Sequence, residues 1–246
     1  MPGAASGGNA THDNMIFFNL FKIEFCTKGV HSLSVENAGE IPMGQFTGTS
    51  GDDVFYLEGQ PLQGGTAHSY YALEGDDTVY GSSIPDYIHG GDGNDILFGE
   101  GDDDFIQGQA GNDQLYGGSG DDNLGGGTGS DTLVGGTGND LLRGNQGNDN
   151  YRYQPGQGMD TISEDQGPAG LGGEGGGTDL LFFNALAADI RIYGNSSDLL
   201  VTTVQDIADG FIDEGVLIED FHLGGDHVVE ILQSAEGYQF DLTVFV

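Results

Sequence analysis

An aspartate recurs at every ninth residue between Ala72 and Arg152, and this row of carboxylates is the part of the sequence best suited to chemistry. Nine consecutive units read ALEGDDTVY, GSSIPDYIH, GGDGNDILF, GEGDDDFIQ, GQAGNDQLY, GGSGDDNLG, GGTGSDTLV, GGTGNDLLR and GNQGNDNYR. The sixth position is Asp in every unit, at Asp77, Asp86, Asp95, Asp104, Asp113, Asp122, Asp131, Asp140 and Asp149. Carboxylates in such a row can bind hard divalent cations, which prefer oxygen ligands.

The residues around each aspartate divide a unit into a turn and a short strand. The first six positions are rich in Gly, which adopts the positive φ that other residues resist. The last three form an extended piece whose eighth residue is aliphatic in eight units and Tyr151 in the last. Because one unit is too short to bury anything, the units must stack. Stacking predicts two parallel sheets of three-residue strands around a thin aliphatic core.

Stacking also decides which aspartates meet. Two units complete one coil, so every second turn falls on the same edge, and aspartates two units apart lie about one strand spacing, roughly 4.8 Å, from each other. At that distance two bare carboxylates repel by about 0.9 kcal/mol even at the dielectric constant of water. A cation between successive turns removes this repulsion. Ca²⁺ suits the place because it takes about six to eight oxygens in flexible geometry, whereas Mg²⁺ requires a stricter octahedron.

The overall charge agrees with cation binding and excludes several partners. The 246 residues carry 40 acidic and five basic side chains, a formal net charge of −35. That balance leaves no basic patch for nucleic acid or anionic lipid. With 10% aromatic and 36% hydrophobic residues, the chain is not expected to be disordered. Cys26 is the only cysteine, so no disulfide framework is expected, and calcium would serve as the staple instead.

The units resemble G-G-x-G-x-D-x-U-x, the calcium-binding nonapeptide of the RTX (repeats-in-toxin, haemolysin-type) family. The match is close over Ala72–Arg152, about a third of the chain. The resemblance implies an all-β fold, a right-handed parallel β-roll, with Ca²⁺ held between same-edge turns by the position-six Asp and turn carbonyls. It also implies export by a type I secretion system and folding triggered by extracellular calcium.

The metal ligands implied by this resemblance are the nine aspartates and the turn glycines. The glycines are Gly90, Gly93, Gly99, Gly101, Gly108, Gly111, Gly117, Gly120, Gly126, Gly129, Gly135, Gly138, Gly144 and Gly147. The pairs that fit best are Asp95/Asp113, Asp113/Asp131, Asp131/Asp149, Asp104/Asp122 and Asp122/Asp140. Asp77/Asp95 and Asp86/Asp104 fit less well, because Leu73, Ile84 and Pro85 occupy turn positions that favour glycine. Asp102 also replaces a turn glycine, but Asp tolerates the left-handed conformation. The block is expected to hold about five Ca²⁺ ions, at most about seven.

Three regions are expected. Residues 1–47 form an N-terminal flank and candidate cap, with strands expected at Ile16–Phe25 and His31–Val35. Residues 48–152 form the roll, reliable over 72–152. Residues 48–71 are interpreted as a degenerate lead-in, since Gly48–Tyr56 matches the motif six residues out of frame and His68 replaces the in-frame Asp. Residues 153–246 form a β-rich cap with a candidate type I secretion signal.

The segment from Gly147 to Asp165 resembles the stretch that closes an RTX block before such a cap. Strands separated by turn residues are predicted at Asp179–Phe183, Asp189–Tyr193, Asp198–Val204, Gly215–Phe221 and Val228–Gln233. A cap covers the core and the open sheet edges of the last coil. The tail Phe240–Val246 resembles the ending of some uncleaved secretion signals, although any terminal edge strand would look similar.

The location expected from the resemblance is extracellular. No apolar run reaches the length of a membrane span. The apolar segment Ile16–Phe21 is short, has no Lys or Arg before it and lacks a small-residue cleavage pattern. A cleaved N-terminal signal peptide is therefore not expected, which agrees with type I secretion.

Other candidate chemistry is weak. None of the six histidines belongs to an H-E-x-x-H zinc motif, and no G-x-S-x-G elbow occurs. His222, Asp226, His227 and Glu230 could in principle bind a metal, but we interpret them as surface residues of the cap. Cys26 is interpreted as a small buried hydrophobe. The glycine-rich turns are not expected to bind phosphate, because no Lys lies beside them. The acidic row is not expected to be a merely solvated face, because solvated charges do not need a strict nine-residue register.

Three functions stay open. The first is a non-catalytic calcium-binding module of a secreted protein, folding on Ca²⁺ outside the cell. The second is the accessory or C-terminal part of a secreted RTX enzyme, such as a protease, a lipase or a polysaccharide-modifying enzyme, although the sequence shows no catalytic motif. The third is a segment of a calcium-dependent adhesin with an extracellular glycan or surface partner.

Overall fold

The computed structural model describes residues 45–59, 67–163, 177–194, 198–209, 212–219 and 229–245. Within these ranges the chain is almost entirely β-structure, with short helices near the C-terminal end. The strands are β1 (Gln45–Thr47), β2 (Val54–Tyr56), β3 (His68–Glu74), β4 (Thr78–Ser82), β5 (Asp86–Asp92), β6 (Ile96–Gly101), β7 (Phe105–Ala110), β8 (Gln114–Ser119), β9 (Asn123–Thr128), β10 (Thr132–Thr137), β11 (Leu141–Gln146), β12 (Asn150–Tyr153), β13 (Met159–Ile162), β14 (Asp179–Phe183), β15 (Ile190–Gly194), β16 (Leu199–Thr203), β17 (Gly215–Ile218), β18 (Val229–Ser234) and β19 (Gln239–Asp241). The helices are α1 (Val204–Asp209) and a 3₁₀ helix (Leu242–Phe245).

Successive strands of the repeat block alternate between two sheets. One sheet has the order β1-β3-β5-β7-β9-β11-β13-β17-β16-β15, and the other has the order β19-β18-β14-β12-β10-β8-β6-β4-β2. Within the repeats each strand pairs in parallel with the strand two units away, so that Leu115 lies beside Leu133 and Leu124 beside Leu142. The predicted parallel β-roll, with two units in each coil, is confirmed.

The position-eight side chains form the core between the two sheets. Val79, Ile88, Leu97, Ile106, Leu115, Leu124, Leu133, Leu142 and Tyr151 are all 0–2% exposed. Each is a side chain whose complete burial is worth about 1.5–3 kcal/mol. Because one row is shared by all coils, the coils are expected to stabilise one another through it.

The strands are twice as long as predicted. In the repeats they typically have six residues, and β8 runs from position seven of one unit to position three of the next. Tyr116 pairs with Val134 and Gly118 with Gly136, while Gly117 between them has no pairing partner in the ladder. The expectation of three-residue strands was wrong, because positions two and three pair with the next coil instead of turning. The turn is therefore confined to positions four to six.

An aromatic ladder follows the outer face of the second sheet. Tyr80, Phe98 and Tyr116 occupy position nine of alternate units, and Tyr56 extends the row upstream. Their rings stack with centroids 4.7–5.0 Å apart. Such cross-strand pairs add to the pairing of adjacent coils.

All five strands predicted for the C-terminal region are present as β14 to β18, with bounds that shift by a few residues. The parallel pairing continues beyond Arg152, since β13 pairs with β17 and β14 with β18. Antiparallel strands then end both sheets, with β16 and β15 after β17 and β19 after β18. They cover the edges that parallel coils would leave open.

Several expectations fall outside the described residues. They are the strands at Ile16–Phe25 and His31–Val35, the burial of Cys26, and the group of His222, Asp226 and His227. In the described ranges no helix is long and apolar enough to cross a membrane.

Candidate metal centre

The repeat aspartates lie in two columns, one at each edge of the roll. Asp77, Asp95, Asp113, Asp131 and Asp149 form the first column, and Asp86, Asp104, Asp122 and Asp140 form the second. In both columns Oδ1 of one aspartate accepts the backbone N–H of the aspartate eighteen residues earlier, at 2.8–2.9 Å. Half of each carboxylate therefore locks one coil to the coil before it.

The other carboxylate oxygen has no hydrogen-bond partner in most turns. Among the described residues, Oδ2 is buried without one at Asp77, Asp95, Asp104, Asp113, Asp122, Asp131, Asp140 and Asp149. These aspartates are 0–3% exposed. A buried carboxylate oxygen without a hydrogen-bond donor is unfavourable, and such charges are normally paired or bound to a metal. The eight orphaned oxygens therefore mark positions for cations.

A position-one glycine makes room beside the orphaned oxygen in seven units, whereas Ala72 occupies this position in the unit of Asp77. A methyl group on Gly90 would overlap Oδ2 of Asp95 and would lie 2.7 Å from the carbonyl oxygen of Gly108 in the next coil. The carboxylates of the other units crowd the same position at Gly99, Gly108, Gly117, Gly126, Gly135 and Gly144. Each of these seven units thus has a cradle that a side chain would fill, bordered by carboxylate oxygen and, in five of them, by a carbonyl oxygen of the next coil.

Position four is held in the left-handed region at Gly93, Gly111, Gly120, Gly129, Gly138 and Gly147, where φ is +130° to +142°. A methyl group there would overlap the carbonyl of the equivalent residue one coil earlier. Asp102 takes this position in its unit with φ of 70°. Gly101, expected among the ligands, differs from the others because it occupies position three of its unit, at the end of strand β6, and not position one or four.

Burial sets the electrostatics of the columns. Desolvation raises the pKa of Asp104 and Asp131 to about 8 and that of Asp95 and Asp113 to about 6. Hydrogen bonds from the preceding coil oppose the shift, and neighbouring carboxylates add to it. The charged form is unfavourable in this environment unless positive charge accompanies it.

The donor set is oxygen only. Each turn contributes one carboxylate, and the described residues contain no cluster of three or more His, Cys, Asp or Glu side chains that could hold a metal by themselves. A cation between turns would therefore draw on backbone carbonyls as well, which suits Ca²⁺. The residues fit calcium: orphaned carboxylate oxygens, glycine cradles and carbonyl oxygens lie together.

Asp86 differs from the other aspartates. Its Oδ2 accepts the backbone N–H and the hydroxyl of Ser82, at 2.6 and 3.0 Å, and its Oδ1 lies 2.8 Å from Nδ1 of His68. Ser82 replaces the second turn glycine in this degenerate unit. His68 occupies the column position that Asp has elsewhere. Protein groups thus satisfy this carboxylate, so it lacks the free oxygen that marks the other turns.

Two features of the site were missed in the sequence. Position five carries an outer ladder, in which Asn112 N–H donates to Asn94 Oδ1 at 2.9 Å and Ser130 N–H to Asn112 Oδ1 at 2.7 Å. The signal was present, since Asp, Asn or Ser fills this position in every unit except that of Pro85. Asp53 also joins the first column, donating its N–H to Asp77 Oδ1 at 2.6 Å, and its own Oδ2 is bound by Thr49.

Comparison with known protein families agrees with this geometry. Four overlapping copies of the RTX calcium-binding nonapeptide repeat match residues 71–106, 89–124, 98–133 and 125–158. No curated protein matches the chain.

Proposed function

Residues 71–158 form an RTX calcium-binding repeat block, and from this premise we propose that the chain is a calcium-binding module of a secreted protein that folds when Ca²⁺ binds. The observation that carries the proposal is the set of eight buried aspartate oxygens without hydrogen-bond partners. Bound Ca²⁺ would supply the positive charge that these carboxylates need in order to be buried in ionised form.

The structure supports six sites within the repeats. A site needs an orphaned Oδ2 and an aspartate in the next turn of the same column. The pairs that meet this condition are Asp77/Asp95, Asp95/Asp113, Asp113/Asp131, Asp131/Asp149, Asp104/Asp122 and Asp122/Asp140. Asp86/Asp104 is left out, because Ser82 and His68 already satisfy Asp86.

The chain's own charge makes folding depend on the ion. With a formal net charge of −35, the unfolded chain repels itself, and stacking the turns concentrates carboxylates further. Ligand that binds only the folded state stabilises that state by mass action. With a dissociation constant of about 10⁻⁴–10⁻³ M, as in extracellular calcium modules, the sites would fill at millimolar but not at cytosolic calcium.

This calcium dependence suits passage through a channel before folding. We propose an extracellular location, reached by type I secretion, with the C-terminal region beyond residue 152 acting as cap and export signal. The support is the match to the RTX repeat family, whose members are typically secreted, and the antiparallel strands that end both sheets. Export of the chain by a host with a type I system should be lost when the residues beyond 152 are removed, and export that survives the removal would overturn the proposal.

The test of the calcium-driven fold is isothermal titration of the chelator-treated chain, with far-UV circular dichroism followed in parallel. Cooperative uptake of six or more ions together with a gain of β-structure is expected. Mg²⁺ at the same concentration is the matched control, and it should produce little folding, because it releases its waters reluctantly. A β-rich spectrum in chelator at pH 8, or weak uptake without folding, would overturn the proposal.

A further inference from the structure

The two aspartate columns continue beyond the repeats. Asp160, twenty residues after Asp140, accepts the backbone N–H of Asp140 through Oδ1 at 3.2 Å. Asp179, thirty residues after Asp149, accepts the N–H of Asp149 through Oδ1 at 2.8 Å. Both contacts repeat the link between coils of the nonapeptide block, although neither spacing belongs to the nine-residue register.

The turns around these two aspartates copy the repeat turn. Gly158 and Gly177 precede them by two residues and have φ of +110° and +132°. A methyl group on either glycine would overlap the carbonyl of Gly138 or Gly147, as at position four of the repeats. The outer ladder continues as well, since Met159 N–H donates to Asn139 Oδ1 at 3.1 Å and Thr178 N–H to Asn148 Oδ1 at 2.8 Å.

The core row continues in the same register. Two residues after each aspartate come Ile162 and Leu181, which are 1% and 0% exposed. Ile162 pairs with Leu142, and Leu181 pairs with Tyr151. The segments Gly158–Ile162 and Gly177–Leu181 are therefore complete turn-and-strand pieces of the roll, with the pattern G-x-D-x-U.

Two of the orphaned oxygens belong to Asp140 and Asp149, the last repeat aspartates of the two columns, which precede these turns. In five of the repeat units, Oδ2 and a carbonyl of the next coil border the same cradle, as at Gly90. At Gly135 and Gly144 the nearest atoms are instead those of Asp140 and Asp149 and, at Gly144, the Tyr151 hydroxyl. Of the eight orphaned oxygens, those of Asp140 and Asp149 have no repeat aspartate in the next turn, which carries Asp160 or Asp179 instead.

Asp160 and Asp179 each lie beside another acidic residue. The Asp160 carboxylate lies beside Asp140, whose N–H it accepts. Beyond Asp179, Oε2 of Glu230 accepts the Asp179 N–H at 2.7 Å, so the first column ends in another carboxylate. Asp160 and Asp179 are themselves 1–2% exposed.

We propose two further Ca²⁺ sites, one between the turns of Asp140 and Asp160 and one between the turns of Asp149 and Asp179. The inference rests on the proposed calcium function, and it raises the number of sites from six to eight, one for each orphaned oxygen. These sites bind the C-terminal strands β13 and β14 to the last coils of the repeat block. The C-terminal region is thereby part of the calcium-binding unit.

The experiment counts calcium ions bound per full-length chain at saturation, by equilibrium dialysis with elemental analysis. The wild-type chain is expected to bind eight ions, Asp160→Asn and Asp179→Asn seven each, and the double variant six. Asp189→Asn, an exposed aspartate in the same region, is the matched control and should bind eight. A second readout is hydrogen exchange of β13 and β14 in Ca²⁺, which the double variant should accelerate while the repeat strands stay protected.

The outcomes separate this inference from the function on which it rests. A wild-type chain that binds and folds with only six ions, or variants that bind as many ions as wild type, would overturn the two added sites and leave the calcium module intact. A wild-type chain that binds no calcium would overturn both. If the double variant does not fold, the numbers of calcium ions bound by the wild-type chain and by the two single variants still test the two added sites.

Discussion

Asp113 reaches back one coil: its Oδ1 accepts the backbone N–H of Asp95 at 2.8 Å, while its Oδ2 is buried without a hydrogen-bond partner. Oδ1 thus links two coils of the roll, and Oδ2 requires a cation. The different roles of the two oxygens explain why the aspartate recurs at every turn. They also explain why asparagine and serine, which occur at position five, do not replace it at position six of the nine units.

Asp113→Asn should have opposite effects with and without calcium. The amide oxygen can still accept the Asp95 N–H, but the negative charge and the second ligand oxygen are lost. Calcium affinity and cooperativity should fall, whereas the calcium-free chain should become more stable because a buried charge has gone. Calcium titrations and far-UV circular dichroism in chelator measure the two effects. Asp92→Asn, at an exposed aspartate of a neighbouring unit, is the control and should change neither calcium binding nor calcium-free stability. Equal destabilisation by Asp113→Asn with and without calcium would contradict the separate roles of the two oxygens.

Without calcium, the fold should be favoured by acid. The folded-state pKa of Asp104 and Asp131 is raised to about 8, and that of Asp95 and Asp113 to about 6, above the unfolded value of about 3.9. The folded state therefore binds more protons, and its stability falls as pH rises from about 4 to 8. Far-UV circular dichroism in chelator should show more β-structure at pH 5 than at pH 8. Stability that rises with pH in chelator would refute this, and in saturating Ca²⁺ acid should instead weaken binding, since protons compete for the carboxylates.

His68→Asn should destabilise the first coils without changing the number of bound ions. The histidine ring lies 2.8 Å from Oδ1 of buried Asp86, and loss of a partner from a buried polar group costs about 1–3 kcal/mol. The melting temperature should fall even in saturating calcium. A change in calcium stoichiometry would instead place a metal at Asp86.

Gly126→Ala should raise the calcium concentration needed for folding. The added methyl group would overlap Oδ2 of Asp131, so the carboxylate must leave its cradle. Gly51→Ala is the matched control, because nothing lies within 4 Å of a methyl group there. Calcium-dependent circular dichroism compares the two variants. Equal midpoints would show that the cradle beside position one is not used by the ion.

Leu124→Ala should weaken calcium binding from a distance. Leu124 is 0% exposed in the middle of the core row, and the substitution should cost about 2–5 kcal/mol of folding stability. Because binding and folding are linked, the calcium midpoint should rise although no ligand has changed. Leu186→Ala, at a side chain that is 52% exposed, is the control. An unchanged midpoint for Leu124→Ala would mean that the sites form without the roll.

The spacing of the repeats alone determined the parallel roll, its two-unit coil, the core row and the columns of aspartates. A register this strict leaves few other arrangements, because every aliphatic side chain must enter one thin core and every aspartate then falls on an edge. The C-terminal strands were also found from local pattern, since alternation and turn residues act over a few neighbours.

Only the tertiary structure showed which aspartates outside the nine-residue register belong to the two columns. Asp160 and Asp179 lie 20 and 30 residues from their column neighbours, so counting in nines could not find them. The motif match of Gly48–Tyr56 includes Asp53, but it is out of frame, and only the structure places Asp53 in the first column. The spacing between turns can vary, because the ladder of hydrogen bonds requires only that G-x-D-x-U segments stack. The state of Asp86 likewise depends on Ser82 and on His68 from the preceding coil of its column, a contact that forms only when the coils stack.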